Sequence, residues 1–368
     1  MKKLFLMSIL LSAFAVISCS EENEPAPDNK EAITIAPNSI EVAQEFAETK
    51  SIKVTTKVAW TLTGTPADEW VKPSIDKGVG TKDVVFTFKA NASNERSVKF
   101  TFKNVDGKTA TLNVKQAGKA KEPIPTDKVD MILVEGGTFT MGNPDDAEKS
   151  IAHEVTVSSF SIGKYEITQG QYEHFMGKNP SKAVKGDNYP VTDVTRVDAR
   201  AFCNAISKSE GLTEAYDDKG EVIADATGYR LPYEAEFEYA ARGGKKATET
   251  IFAGSDDIDA VAVHGTDGED AVEPSALEEV GSLAPNELGL YDMSGNCWEM
   301  LNDWYEEVFS ADAVTNPTGP ASGDARVLRS GAFDSYTHNC KVFGRFYIDD
   351  ASAYDDMSFR IVKPVIAK

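Results

Sequence analysis

The stretch Asn286-Glu287-Leu288-Gly289-Leu290-Tyr291-Asp292-Met293-Ser294-Gly295-Asn296-Cys297-Trp298-Glu299 decides how the larger part of this chain is read. Here and around it glycine and asparagine interrupt the apolar pattern about every ten residues, which favours long ordered loops over a layered sheet. Working outward, only two segments upstream have helix-like composition, Val197 to Ser209 and Pro232 to Arg242. Leu231-Pro232 fits a helix start, with proline at the first turn and Glu234 and Glu236 near the positive end of the helix dipole.

The chain has 368 residues, of which 41% are hydrophobic, so two domains plus extra segments are expected. Lys and Arg number 38 against 59 Asp and Glu, a formal charge of −21, which argues against nucleic acid as a partner because backbone binding needs clustered cations. Four cysteines without a CxxC pair provide neither a disulfide framework nor a zinc site.

At the start, Lys2 and Lys3 precede an apolar run from Leu4 to Ile17, too short to span a bilayer and ordered like a secretory leader. The run ends Val16-Ile17-Ser18-Cys19, which resembles a bacterial lipobox, so residues 1–18 are expected to be removed and Cys19 lipidated. Loss of Lys2 and Lys3 with the leader takes the net charge from −21 to −23, so membrane attachment must come through acyl chains alone. Ser20-Glu21-Glu22-Asn23-Glu24 resembles the acidic signal of surface-exported lipoproteins. The expected location is therefore the outer membrane facing outward, with a periplasmic orientation as the alternative. Residues 19–31, with Pro25 and Pro27, read as a tether, and 119–128 (KAKEPIPTD and its neighbour) as a linker.

Between them, residues 32–118 carry short alternating runs at Ile33 to Ile35, Ser51 to Thr56, Val84 to Phe88, Ser97 to Phe102 and Thr109 to Val114. Turn residues such as Gly78-Val79-Gly80 and Asp106-Gly107 separate them, which predicts a small antiparallel β-sandwich. Trp60, Trp70, Asn94-Glu95-Arg96 and the closing Val114-Lys115-Gln116-Ala117-Gly118 resemble the BACON family of immunoglobulin-like domains. The resemblance implies either a carbohydrate-binding or a spacer role. Spacer is the reading adopted, with Trp60 and Trp70 expected in the core, since aromatics dominate such cores.

From residue 129 to 366 five segments follow in order: Ile132 to Gly142, His153 to Val157, Lys164-Tyr165-Glu166-Ile167-Thr168, Tyr229 to Gly244, and the opening Asn286 to Glu299. Together they resemble the formylglycine-generating enzyme, or sulfatase-modifying factor, family. That resemblance implies an α+β fold of the C-type-lectin kind, here behind an all-β immunoglobulin-like sandwich. It also implies two active cysteines with four residues between them, holding the copper that activates oxygen; soft thiolates suit Cu(I). In the matching segment, Arg329 to Cys340, Cys340 stands at the second cysteine position but Ser335 at the first. A hydroxyl is a poor Cu(I) ligand, so copper is not expected and no catalytic residue is assigned. The oxidase with an altered copper site stays as the alternative. No HExxH, GxSxG or phosphate loop suggests other chemistry, and the four histidines are scattered.

The resemblance further implies a structural calcium held by Asp292, the carbonyls of Gly295 and Cys297, and Glu299. Cys297 and Cys340 are candidates for one disulfide, with Cys203 buried and free. From Asp334 to Ser358, tyrosines, aspartates and small polar groups fall between framework positions, the loop chemistry of a binding surface. The expected contacts are Tyr336, His338, Phe346, Tyr347, Asp349, Asp350 and Tyr354. The segment also resembles the variable proteins of diversity-generating retroelements. These readings converge on a non-catalytic ligand-binding module for an extracellular protein or glycan, with a structural component of a surface assembly as a further alternative.

Overall fold

The computed structural model describes residues 30–43, 49–66, 69–91, 96–118, 123–143, 145, 150–267, 272–273 and 275–365. The leader, Cys19 and most of the expected tether lie outside the described residues. The chain divides into two compact units, one ending at Ala117 and one from Gly118 onward. Among the described residues no helix is long and apolar enough to cross a membrane.

The first unit is built from nine strands: β1 (Thr34–Ala36), β2 (Ser39–Val42), β3 (Thr49–Thr55), β4 (Ala59–Thr63), β5 (Val71–Pro73), β6 (Lys77–Val79), β7 (Lys82–Phe88), β8 (Arg96–Asn104) and β9 (Thr109–Gln116). They form a four-stranded sheet, β1-β3-β7-β5, and a five-stranded sheet, β2-β9-β8-β4-β6. Alternation decides which side faces in: along β7 Val84, Phe86 and Phe88 are buried while Val85 and Thr87 are exposed. Phe86 meets Phe100 edge to face at 5.0 Å in the core. Trp60 is buried against Phe102, and Trp70 is buried beside Phe88, so both tryptophans are core residues as expected and neither offers a sugar platform. Of these strands the alternating runs overlap β1, β3, β7, β8 and β9, four of which have seven residues or more; β2, β4, β5 and β6, three to five residues long, were not located.

The second unit has little regular structure. Strands β10 (Met131–Val134), β11 (Gly137–Met141), β12 (His153–Val157) and β13 (Phe160–Gly163) are followed by helices α1 (Gln169–Met176), α2 (Arg196–Ser209) and α3 (Glu234–Ala241). After the two-residue strands β14 (Thr266–Asp267) and β15 (Val272–Glu273) come β16 (Trp298–Trp304), β17 (Val314–Thr315), β18 (Arg326–Arg329), β19 (Phe346–Ile348), β20 (Met357–Ser358) and β21 (Val362–Pro364). The sheet that matters for function has the order β19-β18-β16-β20, with β19 at one edge. One core lies around Tyr172, Phe202 and Phe359, and a second around Phe237, Leu301 and Val327.

Helix α2 occupies the expected span within one residue, and Cys203 is buried on it. Helix α3 starts later than expected: Pro232 lies before the cap at Tyr233, whose amide donates to the Glu236 carboxylate at 2.9 Å. Helix α1 was not anticipated, although its capping box is present in the sequence, with Thr168 Oγ1 accepting from the Gln171 amide and Gln171 reaching back to the Thr168 amide.

Candidate functional site

After β18 the chain passes through two left-handed residues, Ser330 (φ 83°) and Gly331 (φ 74°), before reaching the cysteine positions. A Cβ on Gly331 would lie 2.7 Å from Cys340 Sγ, so glycine is required for this approach. Ser335 closes the turn that follows: its Oγ accepts from the Ala332 amide at 3.0 Å, and its own amide donates to the Ala332 carbonyl at 2.9 Å. Cys340 is fully buried with Phe252 and Val261. Burial, reinforced by the Asp267 charge, pushes its thiol up to about 12, far from the thiolate that copper needs. The residues do not fit a copper pair: one thiol lies protonated in an apolar cluster, and the serine at the other position hydrogen-bonds the backbone.

The four positions expected to hold calcium lie in a hydrogen-bonded turn beside Arg360. Both carboxylate oxygens of Glu299 lie against Arg360, 2.7 and 2.9 Å from Nε and 2.6 Å from Nη2. Asp292 Oδ2 accepts from the Gly281 amide at 2.6 Å, and Ser330 Oγ donates to the carbonyls of Asp292 and Gly295. The Cys297 amide donates to Glu166, whose pKa is raised well above the ordinary value by burial and then by Asp292 and Glu299. A buried guanidinium thus pairs with Glu299 in this turn. Among the described residues no group of three or more His, Cys, Asp or Glu is arranged to hold a metal ion. The expected pairing of Cys297 with Cys340 is overturned, because Cys203, Cys297 and Cys340 are all free and buried.

The expected binding residues separate into those that face solvent and those that hold the loop. Phe346 and Tyr347, on edge strand β19, are 48% and 50% exposed. Their rings join a row: Trp298 to Phe346 at 5.3 Å, Phe346 to Tyr347 at 5.7 Å, and Tyr347 to Tyr305 at 4.3 Å. Tyr336 and His338, both exposed, stack at 5.6 Å as a separate pair, and Tyr354 is exposed by itself. Among the described residues no ring contact joins these three to the row. Asp349 accepts from the Ala351 amide and the Ser352 hydroxyl, so it shapes a turn while remaining exposed. Asp350 is removed from the contact set, because its carboxylate is committed to Arg200 at 3.1 Å, Arg196 at 3.5 Å and Arg326 at 3.6 Å.

Sequence reasoning missed Tyr305 and Arg345. Arg345 lies 3.9 Å over the Phe309 ring and 5.0 Å over that of Tyr305, and binds Glu234 through Nε at 2.6 Å and Nη2 at 3.0 Å. Arg329 binds the same Glu234 at 2.8 Å and Glu238 at 2.7 Å. Burial alone would raise the Glu234 pKa, but Arg345 and Arg329 bring it below the ordinary carboxylate value. The signal that could have found this network is the spacing of Glu234 and Glu238, which places two acids on one face of α3 and demands a cation opposite.

The sulfatase-modifying factor enzyme 1-like domain model matches residues 116–365, and the BACON domain model matches residues 58–117. The chain belongs to the sulfatase-modifying factor enzyme 1-like family. Within and around this family, it is 33% identical over 264 residues to chaperone protein LppX of Paenibacillus barcinonensis, covering 64% of this chain and 89% of that one. It is 26% identical over 292 residues to the formylglycine-generating enzyme of Mus musculus, covering 66% and 77%. Among solved structures, Treponema denticola variable protein 1 matches with a TM-score of 0.57 and 28% identity, covering 63% of this chain and 94% of that one. The sulfatase-modifying factor fold is thereby shown for the second unit.

Two outcomes follow from the chemistry of this family member's site. Cys340, with its thiol up to about 12, should resist iodoacetamide at pH 8 in the folded protein and react fully after denaturation; rapid labelling in the native state would contradict the burial. Burial, followed by Asp334, raises the Asp356 carboxyl to about 6. The protonated form is therefore favoured in the native state, so the stability this group contributes is complete below pH 4 and is lost as pH rises through about 6. Asp356→Asn should raise stability at pH 7 by about 1 kcal/mol, the partial exposure having been allowed for. The gain should vanish by pH 4, as read by urea denaturation at each pH.

Proposed function

We propose that this chain is a lipid-anchored envelope protein whose sulfatase-modifying factor domain binds an extracellular protein or glycan without catalysing a reaction, and whose BACON unit serves as a spacer. The observation that carries the proposal is the exposed pair Phe346 and Tyr347 on edge strand β19, backed by the buried Trp298 and the half-buried Tyr305, with Tyr336 and His338 as a second exposed stack. Rigid rings with small conformational entropy are the usual anchors of recognition surfaces, and several exposed together on one sheet edge exceed what solubility favours. The serine at the first cysteine position and the buried Cys340 thiol argue against oxidation chemistry. Similarity to a protein named a variable protein and to one named a chaperone supports a role in recognition.

The test is binding of the mature protein to glycan arrays and to extracellular proteins. Combined Tyr336→Ala, Tyr347→Ala and Tyr354→Ala should weaken whatever binding is found by at least about tenfold, roughly 1.4 kcal/mol. Binding that survives the triple substitution would reject this face. Copper-dependent oxidation of a sulfatase-type cysteine peptide, abolished by Cys340→Ser, would replace the proposal with the oxidase reading.

A further inference from the structure

A cavity of about 460 Å³ opens beside β16 and the segment that follows it, away from Cys340 and outside the row of exposed rings. Trp304 and Phe309 line it, and His153 lies against Phe309 at 5.1 Å with its rings nearly edge to face. Its acidic lining residues are Glu234, Asp303 and Glu306, against a single cation, Arg345, which is already shared between Glu234 and the Phe309 ring. Asp303 is 3% exposed. Its Oδ2 accepts from the Glu234 amide at 2.8 Å, and among the described residues no hydrogen bond ends on its Oδ1. The His153 Nδ1 lies 2.9 Å from the Ile151 carbonyl and donates to it, which leaves Nε2 an acceptor in the neutral ring. Aromatic walls, a half-satisfied buried acid, and acceptors in excess of donors form the chemistry of an organic-cation site.

We propose that this cavity binds a small organic ammonium ion with an aromatic or aliphatic body, its nitrogen directed to Asp303 and its apolar part against Trp304 and Phe309. The inference is independent of the proposed binding face, since the acids and rings it uses are not among the exposed residues of that face. Burial, with Glu234 and Glu236 adding to it and Arg230 opposing, raises the pKa of Asp303 well above the ordinary value. A cation arriving beside it favours the charged carboxylate, so binding should release a proton to solvent. Glu306, Arg345 and His153 face the same space and set the remaining charge.

The experiment is calorimetric titration of the full-length mature protein with 2-phenylethylammonium, 2-phenylethanol and phenylacetate, in two buffers that differ in ionisation enthalpy. The ammonium should bind about tenfold or more tightly than the neutral alcohol, with net proton release, and phenylacetate should not bind. Asp303→Asn should reduce the ammonium to the affinity of the alcohol and abolish proton release. Thr318→Trp, an exposed position at the lining, should block both ligands without burdening the core and keeps the test open if the Asp303 variant fails to fold. Equal affinity for the alcohol, no binding of the ammonium by the unaltered protein, or binding that persists with Trp at position 318 would each overturn the proposal.

Discussion

Buried arginines paired with buried carboxylates hold the second unit together, and the remaining loops hang on them. Arg360, with 0% exposure, binds Glu299 and donates to the carbonyls of Gly163 and Tyr291, tying together β13, the loop before β16, β16 itself and the chain just after β20. Arg329 does the same for α3 and the segment after β18 through Glu234, Glu238 and the Val342 carbonyl. A charge taken from water costs several kcal/mol unless its partner is held in good geometry, so these pairs do little as net stabilisers yet are costly to break singly. Their role is to specify one arrangement of long loops that have no continuous ladder of backbone hydrogen bonds to do so.

That arrangement determines which acids are free to do chemistry. Glu299 is held by Arg360 across the core, so its carboxylate is fixed in the fold. Asp350 is likewise drawn under α2 by Arg196 and Arg200, with Arg326 of β18 completing the group, and this fixes the end of the loop carrying Phe346 and Tyr347. Burial dominates the environment of Arg196, lowering its pKa to about 9, with Asp350 opposing that shift. Pinning the polar residue beneath the loop leaves its rings at the surface, and a rigid base lets exposed side chains vary without altering the fold.

The sandwich was largely legible because each long strand in it alternates for five residues or more, as β7 and β9 do, and a two-residue period is visible in the sequence itself. The family motifs made the second fold legible, and the compositions of α2 and α3 placed two of its three helices. The roles of Glu299 and Asp350 were not legible, for a common reason. A carboxylate in a glycine-rich turn can serve a metal, a ligand or an arginine equally well, and the arginine that decides lies 61 residues away for Glu299 and 150 for the Arg200 partner of Asp350. Exposure, in contrast, followed from residue type and spacing: Tyr336, His338, Phe346, Tyr347 and Tyr354 all face solvent, while the neighbours that complete the row, Trp298 and Tyr305, depend on cross-strand geometry.

Ser335 stands where the family resemblance implies a cysteine, and its side chain serves the backbone. Its hydroxyl closes the turn after Ala332 with a hydrogen bond that a thiol makes poorly. Cys340 packs in contact with Phe252 and Val261. Gly331 still permits the close approach that brings the backbone past the sulfur. The segment between β18 and β19 is thus fixed by packing and hydrogen bonding of its own residues.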